Sequence, residues 1–295
     1  MMSLIPYIRK AFLIALVLVG ALQAQEEKKR TPWDVLRDTS YTSNAAIKTY
    51  KKFPNVKLVP PHLPEGVTEK RNIVHANYGA RKLHLDVFAP SHSVKSFRGV
   101  LIIHGGGWVS GERSMLVPMA HQIGSHGYVA VPVEYQLGPE ALYPAAVYDV
   151  KAAIRWMRAN GREYGIDTNK IAVYGCSAGG ELAAFLGTTG DLKKFEGRGG
   201  HFGHSTEVRA VVDVDGLLDF MDVNSTKYDN NPRKPSAAHR WLGGSYKEIP
   251  NTPHTFSLFH PWFEKTLYYT LKFLDRTLKE EKTVGEIVGR FDYEI

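Results

Sequence analysis

Two short runs in this chain carry residue types that can do chemistry together. The first is Gly175-Cys176-Ser177-Ala178-Gly179, a G-x-S-x-G pentapeptide. A serine hydroxyl is a weak nucleophile until it is held clear of its surroundings beside a base. This motif supplies the hold, a tight strained turn between a strand and a helix. Glycine is expected at 175 and 179 because side chains there would collide with the neighbouring strand and helix. The helix that follows points its positive end at developing negative charge. The second run is His104-Gly105-Gly106-Gly107-Trp108. Consecutive glycines let backbone N–H groups face a ligand unobstructed. Attack on an ester carbonyl creates an oxyanion, which such donors stabilise. The predicted donors are the amides of Gly106, Gly107 and Ala178. His104 reads as a turn-stabilising hydrogen-bonder rather than an acid or base. Cys176, the sole cysteine, lies outside the position the turn presents and reads as a small packing residue. Alone it can form no internal disulfide.

Each run by itself is compatible with a plain glycine turn. What strengthens both is their placement at strand ends, so the elements around them matter. Residues 99–104 (Gly-Val-Leu-Ile-Ile-His) are a continuous apolar run, the mark of a strand buried on both faces. Residues 128–135 form another, despite Pro132. Val147, Val150, Ile154 and Met157 fall at helical spacing, with Gly161 as the stop. Residues 170–174 read as a strand, 178–186 as a helix and 208–214 as a strand. Upstream, 72–77 and 82–88 alternate apolar and polar residues around Gly79, which predicts an antiparallel hairpin. Late in the chain, Phe263, Leu267, Leu271, Leu274 and Leu278 line one face of a helix. Strands alternating with helices predict an α/β fold, a mostly parallel sheet covered on both sides, with an antiparallel N-terminal hairpin.

The 295 residues are 43% hydrophobic and 23% charged, enough for a full core. Arg9 and Lys10 precede an apolar run at 11–21, and small residues end at Ala24 before a polar stretch. That is the layout of a secretory signal peptide over 1–24. The run is short for a membrane span. The expectation is a secreted or periplasmic protein with no stable membrane span after cleavage, although Leu22 is large for its place before the cut. Without those residues the formal charge falls from +7 to +5. No basic stripe interleaved with aromatics is present, so nucleic acid is not an expected partner. Residues 25–65, with Pro54, Pro60, Pro61 and Pro64, read as an N-terminal extension over the surface, and 66–295 as the α/β domain.

Several segments together resemble the hormone-sensitive-lipase-like branch of α/β-hydrolases, and more closely the carbohydrate esterases related to feruloyl and acetylxylan esterases. They are HGGGWVSG at 104–111, EYQLGP at 134–139, YPAAVYDV at 143–150, GIDTNK at 165–170, GCSAGG at 175–180 and TPHTFSLFHPWF at 252–263. The resemblance implies an α/β-hydrolase fold, an ester substrate on a polysaccharide or oligosaccharide, and no cofactor or metal. It also implies a general-base histidine in the last segment, His254. That residue lies after Ser177 and before the final helix, as the order Ser, acid, His requires. His260 is the nearby rival, though His260-Pro261 reads as a helix start. His201 and His204 lack acidic or cysteine partners at ligand spacing and read as a loop. Trp108, Tyr135 and Tyr143 are candidate pocket walls, and as aromatics serve equally well as core residues.

The pattern breaks after residue 214. From 215 to 253 no run reads as a buried strand. The stretch looks as if about sixty residues of the relatives, room for two βα units, were missing. The fold is therefore expected to be truncated by about two strands, with the acid assigned to Asp215 because it ends a predicted strand on the catalytic side. Asp213, Asp219 and Asp222 are weaker choices, and Asp215 is equally suited to a turn or cap. The rival readings are a non-catalytic carbohydrate-binding descendant of such an esterase and a lipase of the same fold.

Overall fold

A computed structural model describes residues 41–91, 96–218, 236–242, 259–260, 262–275 and 278. Six strands build its main sheet: β2 (Val67–Tyr78), β3 (Arg81–Pro90), β4 (Phe97–Ile103), β5 (Tyr128–Val133), β6 (Ile166–Cys176) and β7 (Ala210–Val214). Their spatial order is β2-β3-β5-β4-β6-β7. The hairpin β2–β3 and the β3–β5 pair are antiparallel. From β5 through β4 and β6 to β7 every pairing is parallel. Helices α2 (Val117–Ser125), α3 (Ala145–Asn160) and α4 (Ala178–Thr189) carry the chain between the parallel strands.

The apolar runs form strands buried on both faces because alternate side chains feed two cores. Leu101, Ile103, Val129, Val131, Val133, Ile171 and Val173 pack with α3 and α4 on one face. Val100, Ile102, Tyr128, Ala130, Ala172, Tyr174 and Cys176 pack with α2 and the late helix α6 (Trp262–Leu274) on the other. Each fully buried aliphatic side chain contributes roughly 1.5–3 kcal/mol, against about 1 kcal/mol for a typical hydrogen bond. Strand placement is therefore set by this alternation rather than by any single polar contact. Phe263, Leu274 and Leu278 are buried in the second core, and Leu267 and Leu271 pack against it. The predicted apolar stripe is the one observed.

The structure refines the sequence expectations at four places. Residues 41–52, expected within a surface extension, form helix α1 (Tyr41–Lys52), and Ala46 and Phe53 pack on the second core. The following β1 (Lys57–Leu58) pairs antiparallel with β8 (Phe259–His260), so His260 ends a short strand just before α6. Strand β6 starts at Ile166, four residues before the predicted start, because Ile166 and Asp167 pair with Phe97 and Arg98. The stretch after β7, which shows no periodic pattern, contains α5 (Ala237–Leu242), whose Trp241 is buried. Among the described residues β7 is the last strand of the sheet, and no helix is long and apolar enough to cross a membrane. The proposed signal peptide lies outside the described residues.

Candidate active site

Strand β6 ends at Cys176 and α4 starts at Ala178, so one residue must make the whole turn. Ser177 makes it at φ 55° and ψ −124°, a conformation that L residues other than glycine adopt only under constraint. The constraint is visible in the flanking glycines. A Cβ on Gly175 would lie 1.9 Å from the carbonyl oxygen of Gly179, and one on Gly179 would lie 2.2 Å from that of Ile103 in β4. Helix and strands approach as closely as backbone allows, and the bend is the only exit. The Ser177 amide donates to Val214 O at 2.8 Å, tying the bend to β7. Cys176 packs in the opposite core, as its sequence position predicts.

The glycine turn leaves β4 beside this bend. A Cβ on Gly105 would sit 2.9 Å from Cys176 O and 3.1 Å from the Ser177 Cβ, so the turn rests directly against the serine. Gly106 has φ 117°, and a side chain there would strike Ser110 O. Its carbonyl is turned inward and accepts from the amides of Val109 and Ser110 and from the Ser110 hydroxyl. The amides of Gly106, Gly107 and Ala178 make no hydrogen bond among the described residues. Gly180 and Glu181 amides instead donate to Ser177 O at 2.8 and 3.1 Å. Among the described residues three backbone donors of the two motifs thus remain without a partner.

The turn is held from behind. His104 is fully buried, its Nδ1 lies 2.7 Å from Gly105 O, and its ring stacks on Tyr135 at 4.4 Å. The Tyr135 hydroxyl donates to His104 O at 3.0 Å. Tyr135 has no exposed surface, so it supports the turn rather than walling an open pocket. Trp108, also buried, stacks on Trp241 at 4.7 Å and 8°, and Tyr143 meets Trp241 edge-on at 5.3 Å. Of these three rings Tyr143 alone is substantially exposed, at 36%.

Carboxyl groups gather at the same end of the sheet. Glu181, one turn into α4, is buried and accepts the Trp108 indole N–H at 3.2 Å. Burial pushes its pKa up to about 8; the indole bond partly offsets this and the nearby Asp213 reinforces it. Burial also raises Asp213, the Gly216 amide at 2.9 Å lowers it, and Asp215 raises it. Asp215 follows Val214, takes φ 60° and is half-buried. It directly follows β7, the strand to which the Ser177 amide is tied. His254, Asp219 and Asp222 lie outside the described residues. His201 and His204 are exposed in their loop, and no group of three or more potential metal ligands occurs among the described residues. Sequence reasoning missed Glu181 and Trp241. Glu181 did leave a signal, a lone acid in the apolar run AGGELAAFL.

A serine bent out of a strand end, against a glycine turn from the adjacent parallel strand, is how α/β-hydrolases are built. The chain belongs to the BD-FAE family, whose model matches residues 85–261, more than half of it. It is similar to esterase LipC of Mycobacterium tuberculosis, with 36% identity over 124 residues, 42% of this chain and 30% of LipC. The chain spans less than half the length of the curated relatives just behind it as well. Among solved structures it is similar to a truncated carbohydrate esterase from gut microbiota, with 25% identity and a TM-score of 0.54, covering 65% of this chain and 70% of that one. Esterase 2 of Thermogutta terrifontis, with propionate bound, shares the fold at a TM-score of 0.55 and 22% identity, over 76% of this chain and 99% of that one.

Proposed function

We propose that this chain is a secreted serine carboxylesterase that hydrolyses small-acyl or feruloyl esters on plant or algal polysaccharides. The observation that carries the reading is a serine forced into a positive-φ bend with Gly105 of the glycine turn packed directly against it, the amides of Gly106, Gly107 and Ala178 having no partner among the described residues. Donors fixed in advance stabilise an oxyanion without reorganising, and each is worth roughly 10²–10³ in rate.

In this mechanism His254 takes the Ser177 proton as Oγ attacks the ester carbonyl, and the amides hold the resulting oxyanion. Collapse expels the alcohol, protonated by His254, and leaves an acyl-enzyme. Water, deprotonated by His254, then attacks the acyl carbon and regenerates Ser177. Asp215 serves as the acid that orients His254. The sugar-ester substrate is supported by the gut carbohydrate esterase among the structural relatives. Export is supported by the basic and apolar layout of residues 1–24.

The test is turnover of p-nitrophenyl acetate together with labelling by a fluorophosphonate probe. Ser177→Ala is expected to abolish both. Turnover unchanged by that substitution overturns the mechanism, and wild-type protein that neither turns over nor labels favours the non-catalytic carbohydrate-binding reading.

A further inference from the structure

Glu181 has no part in the mechanism just described, yet it joins the two motifs. Its amide donates to the carbonyl of Ser177 at 3.1 Å, while its carboxyl accepts the indole N–H of Trp108 at 3.2 Å, the residue next to Gly107. The carboxyl is therefore a strut between the nucleophile's helix and the glycine turn. The space around it is closed. Glu181 is 6% exposed, a Cβ on the adjacent Gly180 would lie 2.1 Å from Asp213 Oδ1, and Trp108 is clamped under Trp241.

We infer that Glu181 is a positioning residue that holds the oxyanion turn against the Ser177 helix through Trp108, and that it works in its uncharged form. This rests on Ser177 being the nucleophile. The groups facing Glu181 explain why the proton belongs there. From the turn comes one indole donor, from the end of β7 the carboxylate of Asp213, and from the loop before α3 the Tyr143 phenol, which burial and then Glu181 push upward. Among the described residues no cation acts on it. Of the two acids, Asp213 has a backbone amide donor at 2.9 Å and is the better anion, so Glu181 keeps the proton. Ionised, Glu181 would place a negative charge at the helix end that must stabilise the oxyanion, and would weaken the field that favours it.

The experiment measures fluorophosphonate labelling of Ser177 from pH 6 to pH 10 in wild type, Glu181→Gln and Glu181→Ala. The glutamine keeps the acceptor for Trp108 and cannot ionise. It is expected to label within about threefold of wild type at pH 7 and to stay level above pH 8. Wild type is expected to lose roughly tenfold through a limb near the midpoint of about 8. Alanine is expected to be about tenfold slower than the glutamine variant at every pH, with no alkaline limb of its own. A glutamine variant that keeps the alkaline limb, or an alanine variant that labels like the glutamine variant, overturns the inference. Tryptophan emission gives a readout independent of activity. A pH-dependent change with that midpoint, lost in Glu181→Gln and in Trp108→Phe, supports the strut, and emission flat with pH in wild type overturns it. If no protein labels, the esterase reading fails and the emission titration alone decides this one.

Discussion

Glu134, directly after β5, and Glu181, in the nucleophile's helix, are two glutamates buried to the same degree, with 7% and 6% of their surface exposed. Their company differs. Glu134 accepts Arg81 at 2.6 Å, Arg113 at 3.4 Å and the backbone and ring nitrogens of His84 at 3.0 and 3.3 Å. Arg113, a few residues past the turn, is held further by Asp86 at 3.1 Å. Glu181 has one neutral donor and a neighbour of its own sign. Burial disfavours a charge, and among the described residues cations stand against Glu134 but not against Glu181. The first glutamate is an ionic brace that ties β3 to the segment carrying Arg113. The second is a titrating strut between the nucleophile's helix and the glycine turn.

The largest expected effect separates the two by stability. Glu134→Ala removes the shared acceptor of two arginines and a backbone amide. It should cost about 3 kcal/mol, because Arg81 retains Glu140 at 2.8 Å and Arg113 retains Asp86. Urea unfolding at pH 7 checks this. A loss below about 1 kcal/mol would mean that the cations repay little and that the contrast with Glu181 is false. In the glycine turn, Gly105→Ala is expected to lower kcat for p-nitrophenyl acetate about 10²-fold, because the new Cβ must push the turn away from Cys176 O and the Ser177 Cβ. Thermal unfolding of this variant should change far less than that of Glu134→Ala.

Glu181→Gln sharpens the contrast through pH. A carboxyl whose folded pKa is about 8, against an ordinary 4.5, holds its proton in the folded state while the unfolded chain has released it. The sign is therefore a loss of wild-type stability as pH rises from about 4.5 to 8, level on either side. Glutamine removes that loss. The Tm of the variant minus that of wild type should grow by roughly 5 °C between pH 4.5 and pH 8.5. Asp149, pushed up to about 7 by burial, tilts both proteins the same way and cancels in the difference. A difference flat with pH would place Glu181 with Glu134 as a fixed charge.

What could be read in advance follows the same division. Strands β4, β5 and β6 were legible because burial on both faces leaves continuous apolar runs, and the elbow because its glycines answer to backbone collisions that composition encodes directly. Helix α1 and helix α5 were not, because Tyr41–Lys52 has a polar surface and α5 is six residues long in a proline-punctuated stretch. Glu181 was half legible. A single acid in an apolar helix marks a buried charge, but its partner Trp108 lies 73 residues away and only the fold brings them together. The resemblance places the general base at His254, which lies outside the described residues.

The smallest effect concerns the support behind the turn. Tyr135 reads from sequence as a pocket wall or equally as a core residue; it is buried and its hydroxyl donates to His104 O. Tyr135→Phe keeps the ring stacked on His104 and removes one hydrogen bond, a loss of about 1 kcal/mol. If Tyr135 acts through the turn, kcat should fall severalfold with KM unchanged, because His104 O borders Gly179 at the start of the nucleophile's helix. If it touches substrate, KM should rise while kcat holds. Steady-state kinetics on an acetyl and a feruloyl ester distinguish the two, since direct contact would shift KM unequally for acyl groups so different in size. A KM change on either ester without loss of kcat would return Tyr135 to the pocket and leave Tyr143, the exposed ring, as its companion there.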